Sequence, residues 1–148
     1  MSSDQLSAMT QSQRDRLAFL ELRLRFVGEF RRQDLVERFG IQSAAATRDI
    51  GQYKELGPRN LDYDTKRKVY VRADWFRPVF DFAASRVLTW LSQGFGDGEP
   101  MRVRQLVACE GSELSINLDL EMLSVLTRAI HKKAAVEISY RALSSGLT

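Results

Sequence analysis

The segment 43–56 combines apolar residues at helical spacing with an opposite face of mostly small residues. The residues expected to face inward are Ala46, Ile50 and Tyr53. At about 100° per residue, the outward face carries Ala44, Thr47, Arg48 and Gly51. Small side chains let a helix approach base edges closely, while Thr47 offers a hydroxyl and a methyl group and Arg48 can bond guanine or hold a phosphate. Asp49 points sideways and is expected to pair with a neighbouring arginine. The residue types suit a helix that reads bases, although a merely amphipathic helix would show the same pattern.

A second cationic group follows this segment and consists of three adjacent residues: Lys66, Arg67 and Lys68. Three cations at the tip of a hairpin suit contact with phosphates or with the minor groove. By itself such a run is equally typical of a solvated turn, and its position just after a recognition helix favours the functional interpretation. Arg31 and Arg32, at the start of a shorter helix, are candidates for contacts to the DNA backbone.

Enzymatic chemistry finds little support in the sequence. His131 is the only histidine, and it stands in a His-Lys-Lys run at a helix end, where the helix dipole favours a basic residue. There is no HExxH, GxSxG, Walker or glycine-rich dinucleotide motif. The glycine-rich segment 94–98 lacks the flanking strand and helix of a phosphate loop and is interpreted as a linker. A single cysteine, Cys109, provides no disulfide framework and no thiolate cluster. We therefore predict no catalytic residue, no cofactor and no metal.

Periodicity predicts the first helix over residues 14–27. Its inward residues are Leu17, Leu20, Leu24 and Val27. Glu21 and Arg25 are four residues apart and are expected to pair on the outside of this helix. Residues 22–27 also alternate at period two, which leaves a strand as the poorer alternative, and Gly28 ends the pattern.

Two further helices complete a recognisable unit. The segment RRQDLVERFG carries one apolar face, formed by Leu35, Val36 and Phe39. Gly40 then provides the residue that can leave a helix at positive φ. The third helix is segment 43–56, with Gln42 or Ser43 as its N-cap. A short helix, a glycine-containing turn and another helix match the spacing of a helix-turn-helix.

Gly57 and Pro58 end the third helix, and the sequence LDYDTKRKVYVR then predicts two short strands around a basic turn. Leu61 and Tyr63 alternate on one strand, Val69 and Val71 on the other, with residues 65–68 at the tip. The predicted fold is mainly α with a β-hairpin wing, a winged helix-turn-helix over residues 12–74.

Residues 75–117 are expected to form a helical extension and a linker. Its helix follows Pro78, is closed by Gly94 and carries a stripe of Phe80, Ala84, Val87, Leu88 and Leu91. Together with Trp75 and Phe76, these apolar residues lie outside the winged core. This stripe motivates the prediction of a homodimer, because one helix-turn-helix reads few bases and two-fold pairing reads two half-sites. Packing of the stripe onto its own winged domain is the alternative. Residues 101–117 show no firm pattern.

A last helix is predicted within LDLEMLSVLTRAIHKK, with Leu120, Leu123, Leu126 and Ile130 on one face. The sequence AAVEISYRA alternates like a strand, with Val136, Ile138 and Tyr140 facing inward. Because a strand needs partners, the chain is expected to be a fragment of a longer regulator, with residues 134–148 paired to 101–104, added to another copy, or poorly ordered.

The net charge of +3 and the isoelectric point near 9.2 permit an anionic partner without demanding one. The whole excess lies in residues 1–81, since residues 82–148 carry equal numbers of acidic and basic side chains. No apolar run approaches the roughly 18 residues of a membrane span, and the N-terminus is polar. These features predict a cytoplasmic protein without a membrane partner.

The run DLVERFGIQSAAATRDIGQYKELGPRNLDYDTKRKVYV resembles the winged helix-turn-helix of bacterial WYL-domain transcriptional regulators of the BrxR and CapW type, which act in phage defence. Most specific are ArgPheGlyIle in the second helix, ArgAspIle with Tyr53 in the third, and ProArgAsnLeuAspTyrAsp leading into the wing. LeuAspLeuGlu at 118–121, AlaIle at 129–130 and IleSerTyr at 138–140 resemble the helix and strand that open a WYL domain. The resemblance assigns residues 118–148 to that truncated domain.

The resemblance implies a homodimeric repressor of a phage-defence operon that binds double-stranded DNA at a palindromic operator. Recognition-helix positions fall on Ser43, Thr47 and Arg48, and wing contacts on the cations at 66–68. The WYL domain of the family is an SH3-like barrel thought to sense a nucleotide or nucleic acid, and its later strands and Trp-Tyr-Leu signature are absent from these 148 residues. An effector would therefore act only through the missing barrel. A winged-helix module that binds proteins rather than DNA is the alternative function.

Overall fold

The computed structural model describes residues 2–93 and 119–139. Six helices and three strands lie within them: α1 Ser2–Ser7, α2 Gln11–Phe26, β1 Glu29–Phe30, α3 Arg32–Phe39, α4 Ser43–Leu56, β2 Leu61–Asp64, β3 Val69–Arg72, α5 Ala84–Gln93 and α6 Leu120–Lys132. The predictions for the linker at 94–98, residues 101–117, Cys109 and Tyr140 lie outside the described residues. No helix in the described part is long and apolar enough to cross a membrane.

The three strands form one antiparallel sheet in the order β1-β3-β2. In the hairpin, Leu61 pairs with Arg72 at the open end and Asp64 with Val69 beside the turn. The two-residue strand β1 pairs with the outer edge of β3, with Glu29 opposite Val71. The sequence did not predict β1, because two residues after a glycine are too few to show alternation.

Helix α2 lies at the centre of the molecule and contacts two hydrophobic clusters. One face packs with α3, α4 and the sheet through residues including Leu17, Leu20 and Leu24. The other face packs with α5 and α6 through Leu22, Phe26 and Val27. The prediction that Glu21 and Arg25 lie outside is wrong, since their exposed fractions are 0% and 7%. Because neighbours cover α2 on both sides, the side opposite the first apolar stripe is buried as well.

The helix-turn-helix forms as predicted. Gly40 adopts φ 64° at the end of α3, in the left-handed region that favours glycine, and its N–H bonds the carbonyl of Val36. Gln42 is the N-cap of α4, without a side-chain hydrogen bond. Ala46, Ile50 and Tyr53 are buried, so the predicted inward face of α4 is confirmed.

The helix after the wing begins later than predicted, because α5 starts only at Ala84 and Phe80 precedes it. Upstream of it, the Glu21 carboxylate accepts the backbone N–H groups of Val79 and Phe80, at 2.7 and 2.8 Å. Asn60 Oδ1 accepts the N–H of Arg77 at 2.8 Å. These long-range bonds, together with Pro78, hold the backbone in an irregular path.

The apolar stripe of this segment packs mainly within its own chain. Val87 and Leu91 are buried in the second cluster against α2, while Trp75 is 76% exposed. The winged domain itself therefore covers most of the surface on which the homodimer was predicted.

Helix α6 also packs against α2, with Ser124 and Thr127 buried and Leu120 and Leu123 in the second cluster. The predicted inward position of Ile130 is wrong, because it is 50% exposed. Exposed apolar residues on α6 also include Met122 and Val125.

The predicted strand after α6 is absent from its described part, residues 134–139. Val136 and Ile138, expected to face inward, are 39% and 67% exposed. No described strand lies beside this segment to bond its backbone, and a lone strand cannot satisfy its own N–H and C=O groups.

Candidate nucleic-acid interface

The outer face of α4 is open to solvent as the periodicity predicted. Ser43, Ala44, Thr47, Arg48 and Gly51 are all exposed. Apart from Arg48, the side chains of this face are small, so the helix presents a narrow profile to a partner. Arg48 borders a shallow polar depression that Gln13 and Gln52 also line, and sequence reasoning missed both glutamines.

The hydroxyl of Thr47 bonds within its own helix and across to α3. It donates to the carbonyl of Ser43 at 3.0 Å and accepts from Arg32 Nη1 at 3.3 Å. Arg32 thus lies beside the exposed face of α4, which brings two predicted site residues together. Arg31 is the exposed N-cap of α3, and its backbone N–H donates to Asp34 Oδ2 at 2.7 Å.

Two buried polar contacts fix the orientation of α4. Asp49 is 3% exposed and pairs with Arg16 of α2 at 2.6 and 3.2 Å, which confirms that it pairs with an arginine instead of facing outward. Tyr53 donates its hydroxyl to Glu21 Oε1 at 2.8 Å and accepts from Asn60 Nδ2 at 3.1 Å. Burial and the adjacent Glu21 carboxylate raise the pKa of Tyr53, so the phenol stays protonated and donates.

The wing turn is shaped by Asp64, whose Oδ1 accepts the backbone N–H groups of Lys66 and Arg67 at 3.0 and 3.1 Å. An aspartate that bonds the backbone two and three residues ahead is typical of such turns, so the Asp-Thr-Lys-Arg order was a usable signal for this role. Lys68 completes the turn at φ 56°. Lys66 and Lys68 are exposed and form no ion pair with any residue that the structure describes.

Arg67 differs from its two neighbours, because Glu29 Oε2 of β1 accepts its Nη2 at 2.7 Å. The other oxygen of Glu29 lies 3.0 Å from His131 Nε2 of α6. Burial would raise the pKa of Glu29, but the hydrogen bonds and charges of His131 and Arg67 outweigh it and the pKa is lowered. Sequence reasoning missed Glu29, since a contact between residues 102 positions apart has no local signal.

Three helices, a glycine turn and an antiparallel hairpin with a cationic tip define a winged helix-turn-helix. A family model described as the BrxR transcriptional regulator winged helix-turn-helix domain matches residues 12–93. The chain therefore belongs to the BrxR family of transcriptional regulators, which confirms the resemblance of its winged helix-turn-helix.

Curated relatives carry the name "DNA-binding transcriptional repressor CapW". The protein of that name from Escherichia coli is 30% identical over 138 residues, which cover 89% of this chain and 46% of the relative. The one from Pseudomonas aeruginosa is 32% identical over the same coverage. The one from Stenotrophomonas maltophilia is 28% identical over 151 aligned positions, 98% of this chain and 50% of the relative. The chain spans about half the length of the curated relatives it matches.

Proposed function

We propose that this chain binds double-stranded DNA in a sequence-specific manner and acts as a transcriptional repressor. The carrying observation is the exposed face of α4, held by buried polar contacts behind it and followed by a wing with three exposed cations. A helix with small outward residues can enter the major groove, and wing cations can reach the adjacent backbone. The name of the CapW relatives supports the same function.

The site divides into two kinds of contact. Ser43, Ala44, Thr47 and Arg48 on α4 are the residues proposed to face base edges. The residues proposed to bind phosphates are Arg31, Arg32, Lys66, Arg67 and Lys68. The bond from Arg32 to the Thr47 hydroxyl supports the proposal that both side chains face the DNA at the edge of the major groove.

We also propose the homodimer and the palindromic operator, since one recognition helix contacts too few bases for high specificity. Because α2 covers Val87 and Leu91, the dimer contact would use other surfaces, among them the exposed Trp75. Control of a phage-defence operon belongs to the same proposal and follows from the family.

The proposed organisation keeps a winged domain at 12–74, an extension at 75–117 and the opening of a WYL domain at 118–148. A nucleotide or nucleic-acid effector would act through the remainder of such a domain. This division rests on the resemblance of LeuAspLeuGlu at 118–121 and of the residues that follow it to the opening of a WYL domain.

The direct test is selection of bound duplexes from a random library, followed by affinity measurements on the selected site. Arg48→Ala should cost about 1 to 3 kcal/mol on that site and relax the preference at one position, as expected for a base contact. Replacing Lys66 and Lys68 with Ala should weaken all duplexes alike and flatten the dependence of affinity on salt. Equal binding by the parent and Arg48→Ala would contradict the base-reading role. If no duplex is enriched and the chain instead binds a protein partner with an affinity that does not depend on salt, the alternative function as a protein-interaction module would be favoured.

A further inference from the structure

Helix α6 packs on the β1 side of the sheet and contacts it near both of its own ends. Near its start, Glu121 lies 3.4 Å from Arg72, the β3 residue that pairs with Leu61 at the open end. Ten residues later, His131 contacts Glu29, which also holds Arg67 of the wing. At about 1.5 Å per residue, these two contacts are roughly 15 Å apart along the helix. The C-terminal end of α6 therefore lies beside Glu29, whose other carboxylate oxygen accepts the side chain of Arg67 from the wing turn.

A close approach at Gly28 fixes this placement. Gly28 adopts φ 96°, and a Cβ built on it would lie 3.4 Å from Arg128 Cγ and Cδ and 3.9 Å from Lys132 Cε. The absence of a side chain at Gly28 lets the α6 cations pass directly over the start of β1. The apolar stems of Arg128 and Lys132 lie over Gly28, and Arg128 Nε donates back to the carbonyl of Ser124 at 3.0 Å.

The charges on this side of the molecule are predominantly positive. Lys132 and Lys133 are exposed and pair with no carboxylate among the described residues. Glu29 faces both His131 and Arg67, and Asp64 accepts backbone N–H groups of the turn. Glu137, in the segment after α6, is the other nearby acidic residue in sequence. The α6 end with its two lysines and the wing turn with its cations thus meet at Glu29, which contacts His131 of one element and Arg67 of the other.

We propose that the C-terminal end of α6 is part of the nucleic-acid interface, with Lys132 and Lys133 contacting phosphates that flank those bound by the wing. The inference rests on the proposed DNA binding and extends its surface to a helix that neither the sequence pattern nor the family match at residues 12–93 includes. Phosphate contacts of this kind set affinity and register without reading bases. A purely structural role for the lysines, favourable charge at a helix C-terminus, would affect stability alone.

The test compares a double variant with a charge-matched control. The double variant combines Lys132→Gln with Lys133→Asn. Asparagine is chosen at position 133 because it tolerates the positive φ there. The control, Arg59→Ala with Arg86→Ala, removes two exposed cations, one before β2 near the open end of the hairpin and one on α5. Each protein is titrated with the selected duplex and with an unrelated duplex over a series of salt concentrations, and its thermal midpoint is measured.

For the α6 variant we expect the slope of log affinity against log salt to fall by about 1 per lysine, with affinity lowered roughly tenfold on both duplexes. Replacing both lysines with Arg should retain the parental slope, and hydroxyl-radical footprints of the α6 variant should lose protection just beyond the wing.

A parental slope in the α6 variant, or an equal loss in the control, would overturn the inference. If Arg48→Ala weakens binding while the α6 variant does not, the proposed function stands and this extension fails. If the parent binds no duplex, both fail. Should the double variant unfold, Lys132→Gln alone serves the same comparison.

Discussion

Glu21 and Glu29 each accept hydrogen bonds from two other parts of the chain, yet they lie in opposite environments. Glu21 is fully buried and contacts α4 and the segment after the wing. Glu29 has a side chain 18% exposed and contacts the wing turn and α6. The buried glutamate joins elements into a rigid domain, while the outer one positions a cation at the candidate interface. Burial, rather than residue type, separates the two roles.

The pKa values of these two carboxyls move in opposite directions. Burial raises the pKa of Glu21, and the hydrogen bonds from Val79, Phe80 and Tyr53 oppose this without reversing it. At Glu29 burial acts in the same sense, but His131 and Arg67 outweigh it and the pKa is lowered. Glu21 also has a nearby cation, Arg25, so the opposite directions of the two pKa values follow from the deeper burial of Glu21.

The largest effect on stability is expected from Glu21→Ala. It would leave three donors without an acceptor: the buried Tyr53 hydroxyl and the half-buried N–H groups of Val79 and Phe80. An unsatisfied buried donor costs about 1 to 3 kcal/mol and a half-buried one costs less, so the free energy of unfolding should fall by about 3 kcal/mol. Urea unfolding at pH 7 measures this.

Glu21→Gln is the control for shape, since it retains one acceptor oxygen but turns an amide NH2 group towards a donor. The free energy of unfolding of Glu21→Gln should lie between that of Glu21→Ala and that of the parent. A loss below about 1 kcal/mol in Glu21→Ala would contradict the comparison, because the buried carboxylate would then not join the elements.

A smaller effect is expected from Asn60→Ala, which removes bonds to the backbone of Arg77 and to the Tyr53 hydroxyl. Asn60 is 1% exposed, its bond to the Tyr53 hydroxyl is buried, and its two bonds to the backbone of Arg77 are half-buried. The free energy of unfolding should fall by about 2 kcal/mol. Asp62→Ala, at an exposed position in the neighbouring strand, is a matched control and should change it by less than about 0.5 kcal/mol. Equal losses of stability in Asn60→Ala and Asp62→Ala would contradict a stabilising role for the hydrogen bonds of Asn60.

The two glutamates should also contribute opposite dependences of stability on pH. Because the folded-state pKa of Glu29 is lowered, its contribution is present above its ordinary value and lost as pH falls through the folded pKa. The raised pKa of Glu21 has the reverse sign, so its contribution is greatest below its ordinary value and declines as pH rises through the folded pKa. On acidification from pH 7 to pH 3, Glu29→Gln should therefore lose less stability than the parent, and Glu21→Gln should lose more. Identical pH profiles in all three proteins would contradict these assignments.

The smallest effect on folding is expected from Glu29→Gln, at most about 1 kcal/mol, since ion pairs near the surface contribute little. Its informative readout is DNA binding. Removal of the charge releases Arg67 from its acceptor and makes the wing more positive, so affinity for any duplex should rise modestly and its salt dependence should steepen by up to about 1. Unchanged affinity and slope would indicate that Glu29 does not govern Arg67.

Much of the winged unit could be predicted from the sequence, because its signals are local. The apolar spacing in 43–56 identified the buried residues Ala46, Ile50 and Tyr53, and the glycine at position 40 marked the end of α3 through its positive φ. The candidate interface residues on α4 are exposed as predicted for the same reason. Whether they contact DNA remains a proposal that binding experiments test.

The sequence by itself determined the helices of the winged unit, the hairpin and the cationic turn, since helical period, strand alternation and turn chemistry act over a few residues. Only the tertiary structure decided that Glu21 and Arg25 are buried, that the helix after the wing begins at Ala84, and that the end of α6 lies beside β1. Periodicity assumes that a helix has one covered face, whereas α2 is covered on two. An ion pair such as Glu29 with His131 depends on where two distant elements pack, and no local pattern encodes that distance.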